Sequence, residues 1–458
     1  MLQLNHLAGC LALFWLIGAQ LSPEQEVITP GVSEVVPETR SRSSEQVVQG
    51  ADGVLHVVFR AYKRSERKTA VYYTRSEPAG AWSGAIQISE EASDCGAPVI
   101  AACPDGRLLV SWIDTAVEDR FVVAIRSSDD SGKTWTSCAR LPSGVTRVRP
   151  KIAVSGTAAY VCLSSAPREG VGERVYFFRS GDGGKTWEEK NVNFKSPRSQ
   201  SSQVDLLARG ENVWVTWCDQ DQRGVGSVVL ASSTDRGETW PREPVVVSDP
   251  RPETPSDATF DRSQPGVVIV WRGAHPGATS FVYEDRCEDG TTCGKDHIIL
   301  QSDVIPITYR IVKYSNNRVL LCLRSKGGLD RQQHQIYWAD ITDKSISLTD
   351  QQVVVWPGAE HANFSEFDVR VVNGTLYLAA VARFGAGDWR LLLLSRKADG
   401  QDQQWVIGGE QRKERSSLAL VPFRGEIGWL FQERRPRMLP MESPLNDSLV
   451  FGHLDQHQ

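Results

Sequence analysis

Apolar residues return along the chain in short runs about fifty residues apart, at 54–59, 108–112, 159–163, 213–217, 267–271, 319–323, 376–381 and 427–431. The runs are rich in Val, Leu, Ile and Trp, they are too short for helices, and none carries a 3.6-residue period. Gly, Asp or Asn stands in the turn before the second strand of a unit, and these residues let strands turn. A strand-like stretch precedes each run and others follow it, so the pattern predicts eight repeating β-units and an all-β fold.

In several units one connection is spelled almost identically. Residues 127–135 read S-S-D-D-S-G-K-T-W, 179–187 read R-S-G-D-G-G-K-T-W, and 232–240 read S-S-T-D-R-G-E-T-W. Their tryptophans, Trp135, Trp187 and Trp240, stand 52 and 53 residues apart, and a weaker copy ends at Trp82, 53 before Trp135. Each copy lies between two strand-like runs and so reads as a hairpin corner. Asp130, Asp182 and Asp235 are placed to accept backbone N–H groups, and Gly132, Gly184 and Gly237 supply a positive φ. The tryptophan returns to the sheet as an apolar plug. Gly-Lys-Thr at 132–134 and 184–186 imitates the end of a phosphate loop. Ser127 and Arg179 stand where that loop needs glycine, and no helix follows, so a nucleotide site is excluded.

The pattern S-x-D-x-G-x-T-W resembles the Asp-box (BNR repeat) of sialidases and related propeller proteins, and 395–405 (S-R-K-A-D-G-Q-D-Q-Q-W) is similar to a stretched fourth copy. The resemblance implies a β-propeller of four-stranded blades, with the boxes on turns away from the active site. Eight units imply eight blades; seven, or the six of sialidases, are the alternatives. The last unit lacks a fourth strand, which 26–29 or 33–36 is expected to supply, closing the ring and removing an exposed sheet edge. The fifth unit is expected to be irregular, because a cysteine-bracketed loop at 285–295 stands where a box would be.

The chain has 458 residues, 40% of them hydrophobic, with 14 tryptophans, ample for a large core. Length alone suggests about three domains; the repeat overrides this and predicts a lead-in over 23–49 and one propeller over 50–458. A net charge of −5 makes no case for nucleic acid or an anionic membrane. Residues 1–22, with an apolar core at 11–17 and small residues after it, read as a signal peptide. No second long apolar segment exists, so no membrane span is expected. Leu7-Ala8-Gly9-Cys10 looks like a lipoprotein box, but the apolar run follows the cysteine, which favours a secreted or periplasmic chain over a lipid-anchored one. Of the eight remaining cysteines, Cys95–Cys103 and Cys287–Cys293 are expected to form short disulfides. Cys162, Cys218 and Cys322 fall inside strands, where free thiols pack as small apolar groups. No Cys or His pair has metal-ligand spacing, and no metal or cofactor is expected. Asn363, Asn373 and Asn446 open glycosylation triplets for a eukaryotic secretory route.

The sixth unit carries the most suggestive chemistry. Tyr309-Arg310-Ile311-Val312 opens it, Arg324 ends its apolar run, and Asp330 follows. This resembles the start of a sialidase catalytic domain. Carried over, Arg310 would bind a substrate carboxylate, Arg324 would support the site, and Asp330 would protonate the leaving group. A guanidinium fork suits a planar carboxylate, and a carboxylic acid is the usual proton donor to a glycosidic oxygen. Val312 stands where the family has proline. Arg383 is a further arginine candidate, and Tyr283 beside Glu284, and Glu366, are nucleophile candidates by residue type. Arg60, Asp114, Asp219, Arg272, Arg324, Arg383 and Glu433 mark the ends of second strands on one side of the ring, as a ligand face or as ordinary strand ends meeting water. The expected function is a secreted, sialidase-like, exo-acting glycoside hydrolase on an acidic sugar. The alternative is a non-catalytic propeller that binds a glycan or a protein.

Overall fold

The eight apolar runs become the second strands of eight antiparallel sheets in a computed structural model. The structure describes residues 24–29, 35 and most of 45–454; the longest omitted stretches inside that span are 143–148, 166–173, 193–199, 326–332, 408–413 and 435–447. Every named element is a strand. No helix among the described residues is long and apolar enough to cross a membrane.

The sheets are the blades of an eight-bladed propeller. Their inner strands are Val47–Gln49, Val99–Ala102, Lys151–Ser155, Gln200–Arg209, Thr254–Phe260, Thr308–Tyr314, Asn363–Val372 and Glu414–Phe423 for blades 1 to 8. Blades 1 to 7 are each built from consecutive strands. In blade 8 the outermost strand is Glu24–Val27, which pairs antiparallel with Ser448–His453. The other segment named for closure contributes Val35, which bridges Ala61 in blade 1.

Eight apolar clusters fill the eight interfaces between neighbouring blades. In Asn212–Gln220, Val213, Val215 and Trp217 pack toward blade 3 while Trp214 and Cys218 pack toward blade 5. Successive side chains take opposite faces, and both faces are buried, so the runs are continuously apolar instead of alternating.

The boxes lock these interfaces. In blade 2, Ser128 Oγ donates to Asp130 Oδ1 (2.8 Å) and accepts Gly132 N–H (2.8 Å); Asp130 also accepts Thr134 N–H (2.8 Å) and its hydroxyl (2.6 Å). The second and third boxes repeat this around Asp182 and Asp235. Burial pushes these carboxyl pKa values up, but the converging hydrogen bonds outweigh it and hold all three at about 2. Gly132 has φ 80°, and a Cβ there would overlap the Tyr73 hydroxyl of blade 1. Trp135 then meets Tyr73 edge-on, ring centroids 4.9 Å apart, and Trp240 meets Phe177 of blade 3 at 4.8 Å. Trp82 contacts Phe451 across the closure of the ring at 5.1 Å. The stretched copy keeps a positive-φ Gly400, but its Asp399 holds only Gln401 N–H.

Blade 5 has the expected disulfide, Cys287–Cys293, in place of a box. Within that loop Gly290 (φ 77°) presses on Trp214 of blade 4, where a Cβ would collide with the indole, so it takes over the box glycine's role. The second expected disulfide is corrected: Cys95 and Cys103 are free and buried. The stretch between them is not a loop but the inner strand Val99–Ala102, and the two thiols pack into different interfaces, toward blade 1 and toward blade 3. Cys162, Cys218 and Cys322 are buried free thiols.

Two outcomes follow from this packing. Gly132→Ala is expected to cost about 2–3 kcal/mol in denaturant unfolding, combining overpacking with a left-handed backbone. Gly156→Ala, at φ 59° facing open space, should cost about 1 kcal/mol. His56 is buried against the Tyr73 hydroxyl (2.7 Å), and burial lowers its pKa from 6.5 to about 4. The unfolded chain takes up this proton below 6.5 and the folded chain only near 4, so the contribution present above pH 6.5 is lost as pH falls through that window. Between pH 7 and 4.5, His56→Gln should lose about 2 kcal/mol less stability than wild type.

Candidate functional site

Eight inner strands cannot meet at one point, and they leave an axial channel of about 770 Å³, within the range of small-molecule sites. One register level runs around its wall. Lys151, Asp205, Arg310, Asp368 and Ala419 each stand four residues before the last paired residue of their inner strand. Thr259 of blade 5 pairs at the same level, as do Val47 and Val99 of blades 1 and 2. Blades 3 to 7 therefore present charge or hydroxyl, and blades 8, 1 and 2 present apolar groups.

The charges reach sideways to neighbouring blades. Asp205 accepts Thr259 Oγ1 (2.7 Å) and Phe260 N–H (3.0 Å) of blade 5, and Arg262 grips both its oxygens at 2.9 and 3.0 Å. Burial works to raise the Asp205 pKa, yet the Arg262 and Lys151 charges and these bonds hold it well below the usual carboxylate value. Asp368 repeats the pattern: it accepts Leu420 N–H of blade 8 (2.9 Å) and lies 3.6 Å from Arg310 Nε. Arg370, 42% exposed, donates to Leu420 O at 3.3 Å.

Nearer the starts of four inner strands the ladder carries bulges, and those of blades 4 and 5 bring Gln203 and Asp257 to the channel lining. The register slips by one residue at 202–205, 256–259, 364–366 and 416–419. Three of these bulges hold a non-glycine residue in the left-handed region: Gln203 (φ 56°), Asp257 (φ 56°) and Ser417 (φ 60°). Such backbone is costly and collects at functional sites. Gln203 and Asp257 join through the Gln203 side chain and Asp257 N–H, and Asp257 pairs with Arg272. Arg272 also donates to Pro306 O (2.5 Å), and the Tyr309 hydroxyl donates to Asp257 O (3.3 Å). Burial raises the Tyr309 pKa well above its ordinary value, so it acts as a neutral donor. The sequence signal for three bulges is the serine before each left-handed residue: Ser202, Ser256 and Ser416.

Of the residues singled out from sequence, Arg310 and the strand-end Arg272 line the channel; Arg310 is a quarter exposed, with Nη1 bonded to Thr308 Oγ1 (3.2 Å) and Tyr309 O (2.9 Å). Arg262, Arg272 and Arg370 share the wall with it. Arg324 is buried and stacked 3.7 Å over Tyr337. Arg383 is exposed and donates to Gly385 O. Tyr283 is buried between blades 4 and 5, and Glu366 is buried beside the bulge of blade 7. Asp330 lies outside the described residues, as do residues 1–22 and Asn446. Several charges at second-strand ends tie blades together: Arg60 donates to Cys95 O before blade 2, as Arg272 does to Pro306 O before blade 6.

A separate polar cluster seals the seam between blades 5 and 6. Arg318 of blade 6 bridges Asp261 (2.6 Å) and Glu284 (2.5 Å) of blade 5, and the other oxygen of Glu284 meets His297 Nδ1 of its own blade at 3.0 Å. Nearby, burial raises the Asp285 pKa to about 6. Asp285 and the sulfurs of Cys287 and Cys293 lie within 4.8 Å of one another, but the sulfurs are joined, so neither is a thiolate ligand.

The model of the BNR repeat-like domain matches residues 46–275. Among curated proteins no sequence matches the chain. Solved structures of similar fold include the Trypanosoma rangeli sialidase in complex with the inhibitor DANA: 14% identity, TM-score 0.36, covering 68% of this chain and 55% of that one. The chain thus spans about half the length of that sialidase. A Fusarium graminearum α-L-arabinofuranosidase shares 13% identity, TM-score 0.40, over 79% of this chain and 93% of its own. A PL25 ulvan lyase shares 9% identity, TM-score 0.49, over 93% and 95%.

The Asp205–Arg262 pair gives a direct check on this wall. Arg262→Leu leaves a buried carboxylate without its main counter-charge and should cost about 3 kcal/mol. The double variant Asp205→Asn/Arg262→Leu should recover part of that loss in the same denaturant titration.

Proposed function

The chain belongs to the BNR repeat-like domain family, and from that premise we propose that it receives an acidic saccharide in the axial channel and hydrolyses it as a sialidase-like, exo-acting glycoside hydrolase. The observation that carries this reading is Arg310: a partly exposed guanidinium on the channel wall, steadied by Thr308, Tyr309 and Asp368. A planar guanidinium held from behind by a carboxylate is suited to grip a substrate carboxylate in two places. Tyr309 and Gln203 add neutral hydrogen-bonding groups of the kind that sugar hydroxyls need. Asp330 is assigned the proton donor by resemblance. Secretion of the mature chain is part of the same reading, supported by the character of residues 1–22 and by a disulfide, which persists in oxidising compartments.

A second reading, a non-catalytic glycan-binding propeller, is favoured by one observation. Asp205, Asp257, Asp261, Asp368 and Glu45, the carboxylates described on the channel wall, are all ion-paired, and Asp205 is held ionised. A glycosidase acid needs the opposite, a carboxyl kept protonated near neutral pH.

Incubation with a fluorogenic sialoside separates the two. Wild type should turn over; Arg310→Ala should lose about 100-fold or more in kcat/KM, a loss of roughly 2.7 kcal/mol in transition-state binding, with its melting curve unchanged in shape. Full turnover in Arg310→Ala contradicts the role of Arg310. No turnover by wild type on acidic and neutral glycosides alike, with saccharide binding retained, establishes the second reading.

A further inference from the structure

One ion pair on the channel wall does not follow the order of the ring. Glu45 stands two residues before the inner strand of blade 1, yet its carboxylate lies against blade 3. One oxygen meets Lys151 Nζ, and the other lies 3.7 Å from Arg149 Nη1. Blade 2 is passed over. The other pairs named on the wall stay within a blade or join neighbours: Asp257 with Arg272, Asp205 with Arg262, Arg310 with Asp368.

Exposure within this trio is uneven. The Arg149 side chain is 5% exposed and that of Lys151 19%, while Glu45 keeps 29%. Lys151 on the wall and the nearly buried Arg149 two residues before it need an anion beside them, since a buried charge left without a partner is strongly destabilising. The anion that meets both comes from outside the inner strand, on the most exposed of the three side chains. It is also a carboxylate, the same group that an acidic sugar would bring into the channel. Asp205 cannot fill that role, because Arg262 and the blade 5 backbone already hold both its oxygens.

We propose that Lys151 and Arg149 form a carboxylate-binding subsite of the channel, and that Glu45 occupies it as a built-in competitor until the carboxylate of an acidic saccharide displaces it. This rests on the acidic-saccharide reading and extends it: the saccharide is recognised by blade 3 as well as by Arg310 on blade 6. Removing the competitor then strengthens binding, where the loss of a merely structural ion pair would weaken or not affect it.

The test is calorimetric titration of the full chain with N-acetylneuraminic acid and with its methyl ester. The proteins are wild type, Glu45→Gln and Glu45→Gln/Lys151→Met, and acetate serves as the carboxylate alone in thermal melts. Glu45→Gln should bind the free acid about tenfold more tightly than wild type, with the ester unchanged and the gain absent in the double variant. Acetate should raise the Tm of Glu45→Gln and not that of the double variant. Should Glu45→Gln fail to fold, Glu45→Asp, which withdraws the charge by one methylene, is expected to show a smaller gain in the same direction. Equal or weaker binding of the acid by the Glu45 variant, or a gain that survives loss of Lys151, overturns the proposal even where wild type binds through Arg310. If no protein binds the sugar acid but acetate still discriminates the two variants, the subsite stands and the acidic-saccharide reading falls.

Discussion

A glycine corner pressed against an aromatic side chain of the preceding blade is the contact on which this molecule depends. At Gly132 the approach to Tyr73 leaves no room for a side chain, and the backbone there is left-handed. The serine, aspartate and threonine around it tie the corner into one rigid shape, and the following tryptophan closes the seam. A four-stranded sheet alone exposes two apolar faces. Stacking on a neighbour buries one, and only a closed ring buries both everywhere. The chain completes that ring with Glu24–Val27, so its beginning and its end share one sheet.

Closure fixes where chemistry can be. The inner strands stand around the axis with their side chains directed into the seams, and the wall of the channel is made of groups that also join blades. Asp205 and Asp368, at equivalent levels three blades apart, both accept a backbone N–H from the next inner strand. Their charges are thus structural, and the arginines that balance them are the groups that face the lumen. A binding surface and an interblade joint are built from the same residues on blades 3 to 7, while blades 8, 1 and 2 leave the facing wall apolar.

The sequence made the ring legible because its signals are local: the turn chemistry of the boxes, the continuous apolar second strands, and a disulfide closed over a short loop at Cys287–Cys293. Cys95 and Cys103 show the limit of spacing as a guide. Eight residues apart, they flank the extended strand Val99–Ala102 instead of closing a loop, and they pack into different interfaces. The site was less legible because it depends on which blade meets which. Arg310 could be found from the residues around it, whereas Arg324, at the end of a second strand, stacks on Tyr337 instead of turning inward. The bulges at Gln203 and Asp257 and the reach of Glu45 past blade 2 are consequences of three-dimensional register, marked in sequence by no more than a preceding serine or nothing at all.

On the proposed function, the charged arc of the channel wall, and no outer surface of the blades, is where this protein meets its ligand. Diffraction from crystals soaked with an acidic monosaccharide tests that claim most directly. The sugar should lie inside the channel against blades 3 to 7, its carboxylate within ion-pair distance of a wall arginine or lysine. A sugar seated on the box turns or on the outer strands, with only solvent in the channel, would contradict it.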